Sequence, residues 1–349
     1  PTNIAIREAA LKVIDAKMKT SDAVRIKYAS KQARIANAWK KWIGQIGGLK
    51  ETHAMDKKKG FEEEYMAKAA EKTEWKTKYF GVINELNELQ KENAKYEFAR
   101  SLFIEYFYVG PEFMNYALSF ANLANNYEKL EAEGTLQEEL DNLMRKQKGF
   151  FKNYNKALDQ DIFNALTPLY LSYVDADLLP ENLANTWQRN GYKIYEKSML
   201  LNQEKLEASL TKFSKKTVKK ILKDPAYLYA LTLYRAYAAK VAPGYGAYAE
   251  KEEDLMKRYV EGKLAMFPKR KIWADANSTL RIAYGKVDGS SPRDGMQYNH
   301  YTTIDGIMQK YDPENPDFQL TARFIDLYKK SDWGDYAQDD ELWVCFTAS

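Results

Sequence analysis

The grammar of the chain changes once, at Pro268. From about residue 3 to about 267, apolar residues recur at three- and four-residue steps, the period of helices that bury one face. Beyond Pro268, alternation and β-branched or aromatic residues take over, as in Thr279-Leu280-Arg281-Ile282-Ala283-Tyr284-Gly285-Lys286-Val287. Such a pattern is expected to fold as a mainly α chain: a large helical domain over 1–268, then a smaller β-containing domain over 269–349. At 349 residues there is length for two cores.

Within the helical part, Ile4, Leu11, Ile14 and Met18 share one face, and Ser21 stands where a second helix needs an N-cap. That helix is expected to stop at Gly47-Gly48. A charged stretch over 56–98 carries Phe61, Tyr65, Trp75, Tyr79, Ile83, Leu86 and Leu89 sparsely, which predicts an extended helical hairpin. Further helices are expected around 101–131, 135–172, 180–201 and 202–222, punctuated by Pro111, Pro168 and Pro180. Asp224-Pro225 opens another, closing near Pro243-Gly244-Tyr245-Gly246, and a last helix covers about 247–267. After the Thr279–Val287 strand come a turn-rich stretch from Gly289 to Gly295, a short strand Tyr301–Ile304, a helix over Phe324–Tyr328 and a closing strand.

Composition excludes several function classes. No apolar run approaches the roughly 20 residues that span a bilayer. One cysteine, Cys345, and two histidines, His53 and His300, leave no basis for a disulfide or a Cys/His metal site. Without a phosphate loop either, no cofactor is expected. The net charge of +4, from 53 basic and 49 acidic residues, reads as a mixed solvated surface, not a nucleic-acid footprint. With 26 Tyr and 7 Trp, core and cleft are expected to be rich in amphipathic aromatics. The chain opens at Pro1 and ends in strand-like Trp343–Ser349, so it is expected to be an internal piece of a longer protein.

Self-contained chemistry is scarce. Cys345 and His300 make a poor nucleophile and base, a lone strand cysteine being ordinarily a small core residue. His53 and the acidic Asp335, Asp339 and Asp340 read as surface residues. The second helix is more informative. Val24, Tyr28, Ile35, Trp39, Trp42 and Ile46 form an apolar stripe, and nearly opposite lie Ala33, Asn37 and Gly44, flanked by Ala29, Ser30 and Ala36. That small-residue face serves either close helix packing around a satisfied Asn37, or a cleft wall where its amide oxygen meets a ligand donor.

Two stretches resemble a known family. Arg25 to Gly44, with Ile35-Ala36-Asn37-Ala38-Trp39 at its centre, is similar to the first long cap helix of the bacterial serine dipeptidyl peptidases of the type-seven and type-eleven kind. Ala274-Asp275-Ala276-Asn277-Ser278-Thr279-Leu280-Arg281, then Tyr284-Gly285-Lys286-Val287, Asp294-Gly295-Met296 and Thr302-Thr303-Ile304-Asp305-Gly306, resembles the segment where that family re-enters its second β-barrel.

The resemblance implies an α+β parent, a chymotrypsin-like double β-barrel with a helical insertion capping the cleft. It implies a hydrolase that releases dipeptides from the free N-termini of oligopeptides, typically homodimeric, in the periplasm or at the surface of Gram-negative bacteria. By the same resemblance the triad His and Asp precede this chain and the Ser follows it. No catalytic residue is therefore expected here, and the chain alone is expected to be inactive. Asn37 matches the family's asparagine that helps bind the substrate α-amino group. Asp275, Asn277 and Arg281 are expected to be structural, through a buried Asp–Arg pair or an Asx turn. The alternative is a free-standing helical adaptor that binds partners through an aromatic cleft.

Overall fold

A computed structural model describes residues 1–349 except 182, 274–277, 283, 316–317 and 347–349; the side chains of 186, 188–190, 345 and 346 are also outside the description. Among the described residues there are two compact units, Pro1–Lys271 and Ile272–Ser349.

The first unit is helical: α1 (Thr2–Thr20), α2 (Asp22–Glu51), α3 (Ala54–Ala70), α4 (Thr73–Tyr79), α5 (Val82–Phe103), a π-helical turn (Ile104–Val109), α6 (Glu112–Leu118), α7 (Ala121–Ala132), α8 (Leu136–Asn153), α9 (Lys156–Tyr173), α10 (Leu183–Lys197), α11 (Gln203–Thr211), α12 (Lys215–Ile221), α13 (Pro225–Ala236), a second π-helical turn (Tyr237–Val241) and α14 (Ala242–Met266). Ser21 caps α2 as expected, its hydroxyl accepting from the Val24 amide at 3.4 Å. Asp224 caps α13, with Pro225 in the first turn where its missing N–H costs nothing.

Several boundaries differ from expectation, each for a local reason. α2 runs through Gly47-Gly48 to Glu51, where Thr52 ends it by placing both its amide and its hydroxyl on the Gly48 carbonyl. Two glycines lower helix propensity without providing a stop. Pro168 lies inside α9 and does not end it. Pro243-Gly244-Tyr245-Gly246 starts α14 instead of closing a helix, because Pro243 falls within the first turn after the second π-helical turn.

The main core gathers α1, α2, the first π-helical turn, α6, α8, α9 and α13 around fully buried Ile14, Phe107, Phe113, Phe163 and Tyr227. The stretch 56–98 is not an extended hairpin. It breaks into α3, α4 and α5, which share a second small core with α14 built from Tyr65, Tyr79, Val82, Ile83, Tyr259 and Met266. Gly262 makes this packing possible: a Cβ there would meet Tyr65 and approach the Tyr79 ring at 3.0 Å. Gly262→Ala is therefore expected to destabilise the chain by about 1–3 kcal/mol by overpacking, reversing the gain of about 1 kcal/mol that a free helical site would give. Urea unfolding of the two proteins checks this.

The second unit holds the hairpin β1 (Ser290–Arg293) and β2 (Met296–Tyr298), then β3 (Tyr301–Thr303), α15 (Asp305–Met308), α16 (Ala322–Lys330), β4 (Ala337–Gln338) and β5 (Glu341–Phe346). The turn-rich Gly289–Gly295 stretch is thus largely a strand, with Gly295 at φ +71 closing its hairpin. β3, β5 and β4 form an antiparallel sheet in that order, with Tyr301 stacked 3.7 Å from Trp343. The strand expected over Thr279–Val287 is absent: apart from a bridge at Val287, its described residues are irregular. Leu280 and Tyr284 are 91% and 96% exposed there, since alternation forms a strand only where an edge is available to pair with.

Candidate functional site

α2 presents the two faces that its spacing requires. Tyr28 and Ile35 are buried, and Val24, Trp39, Trp42 and Ile46 are half-buried along the same stripe. Ala29, Ser30, Ala33, Asn37 and Gly44 are exposed on the other side. Ala36 departs from its expected place, being buried with the stripe. The Asn37 side chain has no hydrogen-bond partner among the described residues. Arg34, Lys40 and Lys41 are exposed too, and at 100° per residue they lie within about 60° of Asn37. The face around the amide is therefore cationic, a charge that the small-residue pattern does not reveal.

The inner side of α2 is fixed by polar contacts that hold the turn carrying Asn37. Arg7 on α1 is the main one. Its Nε and Nη2 donate to the two oxygens of Glu105 at 2.7 and 2.9 Å, a bidentate pair with both residues buried. Its Nη1 donates to the carbonyls of Ile35 and Arg34 at 3.3 and 3.5 Å. The guanidinium also lies 4.5 Å from the centre of the Trp42 ring. One side chain thus ties α1 and the first π-helical turn to the two residues that end two positions before Asn37.

A second anchor sits one turn earlier. Lys31 donates to the Gly110 carbonyl at 2.9 Å and lies 3.2 Å from a Glu112 carboxylate oxygen. The Tyr28 hydroxyl accepts from the Asn155 amide at 3.2 Å. Beneath them Asp159 is fully buried and accepts from the amides of Glu112 and Phe113 and from the hydroxyls of Tyr154 and Tyr195. Burial pushes its carboxyl up to about 6, with Lys31 and the donors pulling the other way. A carboxyl raised above its unfolded value of about 3.9 favours the folded state most at acid pH, and that contribution is lost as pH rises through 6. Relative to Asp159→Asn, the wild-type chain is expected to lose about 2 kcal/mol between pH 4 and pH 7. Urea midpoints of both proteins across that range measure it; a constant difference would mean the carboxylate stays ionised throughout.

The other candidates do not assemble. His300 packs edge-on against Tyr301 and Trp343, and Cys345 pairs in register with Thr302, its side chain outside the described residues. His53 is exposed at the start of α3. Asp339 and Asp340, both at positive φ, form the tight turn between β4 and β5, and Asp335 is exposed. Asp275 and Asn277 lie outside the described residues. Arg281 is exposed. Among the described residues, no three His, Cys, Asp or Glu side chains gather as metal ligands.

The family model described as Peptidase S46 matches residues 1–349. The chain belongs to the Peptidase S46 family. It is similar to an Asp/Glu-specific dipeptidyl-peptidase of Flavobacterium psychrophilum, 35% identical over 99% of this chain and 48% of that protein. It is also similar to a dipeptidyl-peptidase 7 of Phocaeicola vulgatus, 31% identical over 98% of this chain and 48% of that one. The fold of this S46 chain matches the crystal structure of Porphyromonas endodontalis DPP11 in complex with the dipeptide Arg-Glu, at TM-score 0.83 and 22% identity, covering 99% of this chain and 50% of that one. The S46 chain thus spans about half the length of the relatives it matches.

Proposed function

We propose that this S46 chain is the cleft-capping part of a serine dipeptidyl peptidase, a hydrolase that releases dipeptides from the free N-termini of oligopeptides. In this reading the helical unit is the cap, and the second unit belongs to one barrel of a chymotrypsin-like double β-barrel. The family match over the whole chain and the names of its relatives support the peptidase assignment.

The observation that carries the site is Asn37, exposed and unpartnered on a helix whose opposite side is fixed by Arg7, Lys31 and Tyr28. Its amide oxygen accepts one hydrogen bond from the substrate α-ammonium. Arg34, Lys40 and Lys41 surround it, and residues 33–44 contain no carboxylate. An ammonium is therefore held only when an acidic group from outside α2 offsets that field. The triad His, Asp and Ser are assigned to the rest of the enzyme, so the 349 residues alone are inactive. The intact enzyme is placed in the periplasm or at the cell surface as a homodimer, and takes oligopeptides without a cofactor.

The test is hydrolysis by the full-length protein that contains this chain. It is expected to release dipeptides from a peptide with a free α-amine and to leave the N-acetylated peptide intact. Equal cleavage of both would end the proposal.

A further inference from the structure

The chain's positive charge is not evenly spread. Residues 208–223 hold six lysines and no acid (Lys212, Lys215, Lys216, Lys219, Lys220 and Lys223) against a whole-chain charge of +4, so the remaining residues together carry −2. The fold turns this run into a single surface. α12 buries Thr217, Val218 and Ile221, and the Thr217 hydroxyl donates to the Ser209 carbonyl at 3.2 Å, pinning the helix against the end of α11. All six lysines are left exposed.

Three of them, Lys219, Lys220 and Lys223, join Lys197 around a shallow depression of about 400 Å3. None of these four has an ion-pair or hydrogen-bond partner among the described residues. Asp224, at the floor, is already committed: it accepts from Ser198, Met199, Leu200, Ala226 and Tyr227. Among the described residues, Lys215 alone of the six meets an acid, Glu128 at 2.9 Å, with both side chains mostly exposed. Clustered, unpaired ammonium groups repel one another, and that repulsion is relieved only when anions arrive.

We propose that the α11–α13 corner docks the protein onto an anionic lipid surface. The chemistry favours lipid headgroups over nucleic acid. The run contains no arginine to grip phosphate or guanine bidentately. Its single aromatic, Phe213, is half-buried, which leaves no exposed ring for stacking bases. α12 has seven residues, too short to lie along a major groove. Flexible lysines around a shallow depression, with Leu222 39% exposed among them, suit a diffuse plane of negative headgroups. Because the rest of the chain is net negative, the field also orients the approach, lysine corner first.

Co-sedimentation of the 349-residue chain with vesicles tests the inference. Vesicles of phosphatidylcholine with 30% phosphatidylglycerol are expected to bind it at 0.1 M salt and lose at least tenfold at 0.5 M. Pure phosphatidylcholine vesicles are expected to bind it much less. Lys219→Gln/Lys220→Gln/Lys223→Gln is expected to lower binding by about a hundredfold. The matching Lys→Arg triple variant is expected to keep it. Lys57→Gln/Lys59→Gln/Lys76→Gln removes the same charge from exposed sites elsewhere and is expected to change it less than threefold. The inference is overturned if the two vesicle types bind alike or if both Gln triples lose equally. It is overturned as well if the corner binds an oligonucleotide and not the anionic vesicles.

Discussion

Arg7→Ala is expected to cost the helical unit about 3–5 kcal/mol, because it leaves the Glu105 carboxylate buried without its partner. The same change removes the donor to the Arg34 and Ile35 carbonyls and the cation over Trp42. Three elements lose their common tie at once, and the effect falls on the turn of α2 that carries Asn37. Urea unfolding of the wild-type and variant chains measures the loss. Replacing both partners, Arg7→Met with Glu105→Leu, is expected to recover most of it, since the penalty lies in the orphaned charge and not in the absence of the pair. A loss below about 1 kcal/mol for Arg7→Ala would show that water reaches Glu105 and that the pair is not an anchor.

Asn37→Ala is expected to do the opposite: leave the fold alone and impair the enzyme. Asn37 is exposed with no partner to lose among the described residues, and alanine has the higher helix propensity. Stability is therefore expected to stay level or rise by a few tenths of a kcal/mol. In the full-length protein, kcat/KM on a dipeptide-releasing substrate is expected to fall about ten- to a hundredfold, the loss of one charge-assisted hydrogen bond. Steady-state kinetics with a free-amine peptide checks it. In the proposed function the two variants separate positioning from contact: Arg7→Ala is expected to act on activity through the geometry of α2, and Asn37→Ala by removing a contact with the substrate.

Helix periodicity made much of this legible from sequence. The stripe Tyr28–Ile35–Trp39–Trp42 and the caps at Ser21 and Asp224 follow from local rules, and local rules hold where a segment's neighbours agree with them. Gly47-Gly48 and Pro243 misled because a breaker lowers propensity without saying what comes next; Thr52 and the second π-helical turn decided those ends. Thr279–Val287 has strand chemistry but no strand among its described residues, because pairing is a property of the partner as well. The Arg7–Glu105 anchor spans 98 residues, beyond any local pattern. A trace was available nonetheless: Glu105 is the one charged residue within Leu102–Val109, an otherwise apolar run. A lone carboxylate there calls for a buried cation. Asp159 carries no such mark, because Gln160 and Asp161 stand beside it between Leu158 and Ile162, and only the packing shows which of the two carboxylates is buried. The lysines of 212–223 were in plain view, but averaging charge over the whole chain concealed them.

The central claim is that Asn37 contacts the substrate α-ammonium, and a substrate that lacks that group tests it most directly. In the full-length enzyme, kcat/KM is measured for wild type and Asn37→Ala on a free-amine peptide and on its des-amino analogue, which carries hydrogen in place of the α-ammonium. The substitution is expected to cost ten- to a hundredfold on the first and less than twofold on the second, since the hydrogen bond it removes no longer exists there. Equal losses on both substrates would contradict the account and return Asn37 to a structural role.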